Sequence, residues 1–339
     1  MNVFELTRAL VDIDSVTPNE ERIGLYLYDC LNLLTDRYQG VIERMEVEPG
    51  RFNVFARFGY RPIVTLSTHM DTVPPFFPSR EDDERIWGRG ACDTKGIIAS
   101  MILAAESLLA NNEREFGLLF VVGEERNSAG AYHASKNPRA SQFLINGEPT
   151  GNRLAVGSKG ALRYEIVARG KAAHSAYPEL GDSAINKLID ALMRVRKVEL
   201  PVDEVLGAST LNIGVISGGC APNVIADEAR AEIMIRLVGD SALTRESLQK
   251  AVAGGGNEAE LREVLEIPAL RLGSLPGIET TVVAYTTDIP AFGGMWGTPY
   301  LLGPGTIHVA HTLEENVPKA ELVEAVQIYQ NMIRYLKNG

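Results

Sequence analysis

Acidic residues and a histidine follow three short apolar runs of this chain, at the points where strands would end. The run 63–67 is followed by His69 and Asp71, the run 117–122 by Glu124 and Glu125, and the run 143–145 by Glu148. In open α/β sheets ligands bind beyond the carboxyl ends of the strands, so we expect these side chains to converge on one crevice. Asp93 joins them, because it lies in a glycine-bounded turn just before a predicted helix.

These residue types together point to a metal site. Imidazole and carboxylate groups without thiolates are suitable ligands for zinc or a similar divalent ion in a hydrolytic site. A lone His-x-Asp motif is weak evidence, but here it is joined by an isolated Asp, a Glu-Glu pair and a further Glu. The combination predicts a metal-dependent hydrolase.

The first third of the chain predicts the elements that could position this site. Near-continuous apolar runs alternating with helical segments indicate a largely parallel sheet buried on both faces. Two further strands are predicted at 41–47 and 52–58. The segment 17–20 predicts a capping box with proline at the first helical position, opening a helix that ends near Leu34. The segment 99–110 predicts another helix.

The middle of the chain predicts a separate α+β unit. A strand, a helix, two strands, a helix and a further strand near 265–272 follow one another, which is the order of a ferredoxin-like unit. Apolar strands then return, and an amphipathic helix follows Pro318. We therefore predict one domain of residues 1–159 and 273–339, with residues 160–272 inserted as a second domain.

Composition and charge restrict the class of protein. The 339 residues are 45% hydrophobic and 23% charged, which allows a buried core and argues against a disordered or fibrous chain. The net charge of -11 argues against nucleic acid or an anionic membrane as a partner. The N-terminus lacks a secretion pattern and 3 cysteines are too few for a disulfide framework, so we expect a cytoplasmic protein.

Essentially the whole chain resembles the metallopeptidase and deacylase family of acetylornithine deacetylase, succinyl-diaminopimelate desuccinylase and carboxypeptidase G. Five motifs in the family's order carry the resemblance: 67–74 with its His-x-Asp, 88–96, Glu124-Glu125, 147–150 with Gly-Glu-Pro-Thr, and 303–312 with its late histidine. The resemblance implies a zinc-exopeptidase-like α/β catalytic domain with a mostly parallel central sheet. It also implies that the inserted ferredoxin-like domain is a lid and dimerisation domain.

By this resemblance two divalent metal ions, zinc or else cobalt or manganese, would share Asp93 as a bridging carboxylate. One ion would also bind His69 and Glu148, and the other Glu125 and His311. The reaction implied is hydrolysis of a linear amide or peptide bond.

The resemblance also implies two supporting roles beside the metal ligands. Asp71 would hold the His69 ring in one tautomer and orientation. Glu124 would be the general base that takes a proton from the water between the metals.

Residues of the lid and of one glycine turn would complete the site. His174 would stabilise the oxyanion in the active site of a partner subunit, which implies a homodimer. Arg236 and Asn223 would contact a substrate carboxylate. The backbone N–H groups of Gly303 and Gly305 would face the same end of the substrate.

Three functions are open at this point. Gly-Glu-Pro-Thr around Glu148 favours removal of the N-acyl group from an N-acyl amino acid, with N-acetyl-L-ornithine deacetylation in arginine biosynthesis as the first candidate. A succinyl-diaminopimelate desuccinylase, carboxypeptidase or dipeptidase would use the same chemistry on another small substrate. A catalytically silent binding module is disfavoured, because Glu124 and all five ligand positions are present.

Overall fold

The structure, a computed structural model, describes residues 1–254 and 259–338 and divides into two compact units. The first unit comprises Met1–Val156, Leu272–Thr281 and Thr287–Gly339, and the second comprises Gly157–Arg271 and Val282–Thr286. The second unit therefore begins three residues before the predicted insertion and includes a short return segment. Within it, Lys159 N–H donates to the Val283 carbonyl at 3.0 Å.

The helices and strands are numbered in chain order. The helices are α1 (Val3–Val11), α2 (Glu21–Tyr38), α3 (Gly96–Ala110), α4 (Ala129–Lys136), α5 (Ala184–Val195), α6 (Ser241–Ala253), α7 (Ile289–Phe292) and α8 (Lys319–Asn338). The strands of the first half are β1 (Val41–Glu48), β2 (Arg51–Phe58), β3 (Val64–His69), β4 (Arg80–Glu81), β5 (Arg85–Trp87), β6 (Phe116–Val121), β7 (Phe143–Asn146), β8 (Leu154–Ser158) and β9 (Gly160–Arg169). The later strands are β10 (Val202–Asp203), β11 (Gly207–Ala208), β12 (Thr210–Gly218), β13 (Glu228–Leu237), β14 (Ala259–Ile267), β15 (Leu270–Arg271), β16 (Thr280–Val283), β17 (Thr298–Leu301) and β18 (Asn316–Pro318).

The main sheet of the first unit has the strand order β1-β2-β6-β3-β7-β17. Strands β6, β3, β7 and β17 run parallel, whereas β2 pairs antiparallel with both of its neighbours. The predicted α/β class with a largely parallel sheet is confirmed. Every residue of β3 and β6 is buried, and β6 is accordingly a continuous apolar run rather than an alternating one.

Helices of the first unit pack around the main sheet and around one another. Helix α3 packs against α1 and α8, and its apolar side chains belong to the large core of this unit. Helices α4 and α7 pack together over a smaller cluster that contains Trp296, whose indole N–H donates to the Ala134 carbonyl at 2.9 Å. No helix among residues 1–254 and 259–338 is long and apolar enough to cross a membrane.

The predicted capping box at 17–20 is wrong. Helix α2 begins one residue after Glu20, whose carboxylate makes no cap bond because it accepts from Arg51 at 2.6 and 2.8 Å. The Thr17 hydroxyl donates instead to Asp71 Oδ2 at 2.7 Å, across 54 residues of chain. Tertiary contacts therefore use both groups that the local pattern assigned to the helix N-terminus.

The second unit contains a four-stranded antiparallel sheet of order β12-β13-β9-β14, with α5 and α6 packed on it. The chain order β9-α5-β12-β13-α6-β14 is ferredoxin-like, as predicted. The last strand differs from the prediction near 265–272, because β14 ends at Ile267 and only Leu270–Arg271 forms a short strand beyond it. No residue of β14 is buried, so its polar sequence lacks the apolar run that predicts a strand.

Candidate active site

Three neighbouring strands of the first unit bring the predicted residues together. His69 is the last residue of β3, Glu124 and Glu125 follow the end of β6, and Glu148 follows the end of β7. These strands are parallel neighbours, so their carboxyl ends meet at one edge of the sheet. The Thr68 hydroxyl donates to the Gly147 carbonyl at 2.7 Å and ties two of these ends to each other.

Asp93 lies between two histidines. Its Oδ1 is 3.1 Å from His69 Nε2, and its Oδ2 is 3.4 Å from His311 Nε2. Glu125 approaches the same His311 nitrogen to 3.1 Å. These side chains form two groups of potential metal ligands. One group is His69, Asp93 and Glu148, and the other is Asp93, Glu125 and His311. Within each group the ligand atoms lie within 4.8 Å of one another.

The donor set of both groups fits divalent cations. Each group offers imidazole nitrogen and carboxylate oxygen, which suit zinc, cobalt or manganese. Glu148 Oε1 is buried and has no hydrogen-bond partner among the described residues, an arrangement that is costly unless a cation binds there. Burial, reinforced by the charge of Glu124, raises the pKa of Glu148 well above its usual value. The residues therefore fit two ions that share Asp93.

The His69 ring is oriented so that Nε2 faces Asp93. Its Nδ1 lies 3.0 Å from the Asp71 carbonyl, and because a carbonyl can only accept, Nδ1 carries the hydrogen. Nε2 is then left as the ligand atom. The Asp71 carboxylate, which was expected to make this contact, is 3.6 Å from Nδ1. The closer orienting contact comes from the backbone of Asp71.

The Asp71 carboxylate holds the loop that carries the Glu-Glu pair. It is fully buried and accepts four hydrogen bonds. The donors are the Thr17 hydroxyl at 2.7 Å and the backbone N–H groups of Gly123, Glu124 and Glu125 at 2.9, 3.1 and 3.2 Å. Burial opposes ionisation, but the attraction of His69 and the bond from Thr17 lower the pKa of Asp71 below its usual value. One carboxylate thus fixes the positions of both glutamates.

We expect Asp71→Ala to lower the free energy of unfolding of the metal-free protein by about 3–5 kcal/mol. One buried and two partly buried N–H groups would lose their acceptor, and an unsatisfied buried donor costs about 1–3 kcal/mol. Urea denaturation measures the change. The matched control is Asp83→Ala, which removes an exposed carboxylate from a turn. Equal stability changes in the two variants would contradict the anchoring role.

Glu124 belongs to neither group of ligand residues. Its backbone N–H is held by Asp71, and the residue is half-buried. Burial raises the pKa of Glu124 well above its usual value against the attraction of His69, and repulsion from Asp288 adds to the rise. A carboxylate beside both candidate ligand groups but in neither of them is placed to take and return a proton.

Comparison with known proteins identifies the family. The sequence profile of peptidase family M20/M25/M40 matches residues 65–335. This chain belongs to that family. A peptidase M20 domain-containing protein of Schizosaccharomyces pombe is 37% identical to it, over 98% of this chain and 84% of its own length. A probable carboxypeptidase of Aspergillus niger is 37% identical, over 96% of this chain and 88% of its own length.

Solved structures share the M20 fold. A tripeptidase from Staphylococcus aureus has a TM-score of 0.83 and 22% identity, covering 100% of this chain and 98% of that one. An M20 metallo-carboxypeptidase from Sulfolobus solfataricus has a TM-score of 0.76 and 16% identity, covering 99% of both chains. A dinuclear metal-binding M20 peptidase from Bacillus subtilis has a TM-score of 0.70 and 17% identity, covering 99% of this chain and 98% of that one. The predicted hydrolase family is confirmed, and none of these relatives is named as an acetylornithine deacetylase.

One acid near this site, Asp288, was not predicted from the sequence. Its side chain is 1% exposed, and neither carboxylate oxygen has a hydrogen-bond partner in the described part of the chain. Burial raises the pKa of Asp288 to about 7, although Ser128 and His69 oppose the shift. Asp288 directly precedes α7, and the strand before it, β16, ends five residues earlier and is not in the main sheet. The rule for the carboxyl ends of parallel strands therefore could not have found it.

Two of the predicted lid residues lie together on the second unit. Ser175 N–H donates to the Asn223 carbonyl at 3.0 Å, and His174 forms a bridge with Val224. His174 and Asn223 are both exposed. Their roles stay predictions.

The third lid residue, Arg236, lies on β13 and is half-buried. Its guanidinium has no ion pair or hydrogen bond with the residues that the structure describes. Burial lowers its pKa below the usual value for arginine, but the guanidinium stays charged at neutral pH. A half-buried cation that none of the described side chains neutralises is available for a carboxylate.

The backbone N–H groups of the glycine turn make hydrogen bonds within the chain. The N–H of Gly303 donates to Thr150 Oγ1 at 3.1 Å, and the N–H of Gly305 donates to Glu321 Oε2 at 2.6 Å. Both N–H groups already have an acceptor within the chain, and the substrate contact that the resemblance implied stays a prediction. Gly305 is required for a steric reason, since a Cβ there would lie 2.5 Å from Cys92 Sγ at a φ of +83°.

Proposed function

We propose that this M20 protein is a metal-dependent exopeptidase that hydrolyses a peptide or amide bond next to a free α-carboxylate. The observation that carries this proposal is Asp93, whose two carboxylate oxygens face His69 and His311. A carboxylate in that position can hold two ions close together, and zinc is our first candidate for both. The naming of relatives as probable carboxypeptidases supports a peptide substrate.

In the proposed reaction, the bound ions would polarise the scissile carbonyl and acidify the attacking water. Glu124, which is in neither ligand group, would accept the proton of that water and later donate it to the leaving nitrogen. Asp71 keeps Glu124 in place through the backbone of the 123–125 loop.

Residues of the second unit would complete the site. We propose that the Arg236 guanidinium binds the α-carboxylate in bidentate fashion and that Asn223 assists it. His174 would stabilise the developing oxyanion in a partner subunit, so this role requires a homodimer. A fully active monomer would exclude that part of the proposal.

Deacetylation of N-acetyl-L-ornithine is the second candidate function. Its support is Gly147-Glu148-Pro149-Thr150, the segment that resembles the deacetylase. The chemistry at Asp93 and Glu124 would be the same, and the amine that leaves would again carry a free α-carboxylate. Desuccinylation of N-succinyl-diaminopimelate is a further variant on the same site.

The test is a turnover panel with zinc-loaded protein and a chelator-treated control. The substrates are dipeptides, tripeptides, N-acetyl-L-ornithine, N-acetylcitrulline and N-succinyl-diaminopimelate. Chelator-sensitive release of the C-terminal amino acid from peptides, at least tenfold above the acyl amino acids, is the expected result. Preferred turnover of acetylornithine would replace the peptidase proposal with the deacetylase one, and a sample inert on every substrate would overturn both.

We expect Arg236→Gln to raise KM for a free-acid dipeptide about 10- to 100-fold, which corresponds to the loss of a charged hydrogen bond. The same variant should leave turnover of the C-terminally amidated dipeptide unchanged, because that substrate offers no carboxylate. The control is Arg230→Gln on the same strand, since Arg230 is already paired with Glu228 and Glu165. Equal KM changes for the acid and the amide would contradict the assignment.

A further inference from the structure

A buried glutamate outside both ligand groups organises the loop that carries Asp93. Glu315 is 1% exposed and lies four residues after His311. Its Oε1 accepts three backbone N–H groups, those of Gly90 at 2.9 Å, Cys92 at 3.3 Å and Asp93 at 3.2 Å. Three donors converging on one oxygen form an anion-binding concavity made of backbone.

The other oxygen of Glu315 is also bound. Arg89 Nη1 donates to Oε2 at 2.5 Å, and both side chains of this ion pair are 1% exposed. The Glu315 backbone is fixed too, because its carbonyl accepts from Gly88 N–H at 3.1 Å and the next residues form β18 beside β5. The segment from Gly88 to Asp93 therefore wraps around one carboxylate on both sides.

This geometry connects two loops that each supply a metal-ligating side chain. Asp93 is held through its own N–H, while its carboxylate faces His69 and His311 on the other side. His311 is four residues from Glu315, a distance of at most about 14 Å of extended chain. A displacement of the Glu315 carboxylate would therefore move the Asp93 backbone, and with it the Asp93 carboxylate, relative to the two histidines.

We infer that Glu315 is a positioning residue for the dinuclear centre, setting where the Asp93 carboxylate lies between the two histidines. This inference rests on the proposed function, because it assumes that both groups bind metal. Groups that support metal ligands by hydrogen bonds typically contribute about 10- to 100-fold to metal affinity or activity. The neighbouring Glu314 has no such role, since its side chain is 78% exposed and its contact to Arg80 is 3.4 Å long.

The test compares Glu315→Gln with the matched control Glu314→Gln. Glutamine keeps the size of the side chain but must turn its NH2 group toward either the three N–H donors or Arg89, so one set of hydrogen bonds is lost. We expect zinc affinity, measured by competition with a chromophoric chelator, to fall 10- to 100-fold in Glu315→Gln and to stay within twofold in Glu314→Gln. Saturating zinc should restore kcat with KM unchanged, an outcome that a general folding defect would not give.

Glu315→Asp keeps the test decisive if the glutamine variant does not fold. It retains the charge but withdraws the carboxylate by one methylene. We expect zinc affinity to fall by at least threefold, but by less than in Glu315→Gln. Unchanged zinc affinity in a folded variant overturns the inference, even if the melting temperature of the metal-free form falls, because Glu315 would then be a structural anchor only. If the wild-type chain binds no zinc, the proposed function and this inference are both overturned. If wild type and Glu315→Gln each bind two ions with equal affinity, only this inference is overturned.

Discussion

Glu124→Gln is expected to lower kcat by about 10²- to 10⁴-fold, the usual contribution of a positioned general base, while the protein keeps both metal ions. The reason is the position of Glu124. Its backbone is anchored by Asp71 beside the ligands, but its carboxylate is in neither group of potential metal ligands. Turnover of the preferred peptide and metal content by mass spectrometry measure the two parts of this result.

Glu125→Gln is the matched variant, because it changes the same residue type one position along the same loop. The Glu125 carboxylate is 3.1 Å from His311 Nε2, so its loss should remove metal as well as activity. Equal metal loss in the Glu124 and Glu125 variants would show that the base and the ligand have been assigned wrongly.

Asp93→Asn is expected to have the largest effect on metal binding. Asp93 is the one residue common to both groups, and the amide offers a single neutral oxygen in place of two charged ones. We expect fewer than one ion per chain and a loss of zinc affinity above about 100-fold, more than a supporting residue contributes. Equilibrium dialysis followed by metal analysis measures it.

Two histidines of one loop provide a matched pair of variants that tests the specificity of metal loss. His311→Ala should lose the ion held with Glu125, whereas His308→Ala removes an exposed imidazole three residues earlier and should keep both ions. Two ions retained in Asp93→Asn would contradict the shared-carboxylate geometry.

The candidate ligands could be predicted from sequence because buried parallel strands leave a simple signal. Continuous apolar runs such as 117–122 mark strands buried on both faces, and the polar residues after them must lie at one sheet edge. That reasoning brings His69, Glu125 and Glu148 to one place. It cannot find His311, which follows no strand and was identified only by resemblance.

Side chains whose partners are distant in sequence could not be predicted. Thr17 matches a helix cap in its local pattern, yet its hydroxyl binds Asp71 across 54 residues. Glu314 and Glu315 are adjacent and identical in type, and only the fold makes one exposed and the other an acceptor for three N–H groups. Strand β14 was misplaced for a related reason, since an exposed edge strand has no apolar run.

The most direct test of this account is a zinc titration of the metal-free wild-type protein, following bound metal and peptide hydrolysis in the same samples. We predict two ions per chain, with hydrolysis of a free-acid dipeptide that appears with metal occupancy and disappears on chelation. Full hydrolysis with no bound metal, or a single ion bound without need of Asp93, would contradict the proposed dinuclear centre.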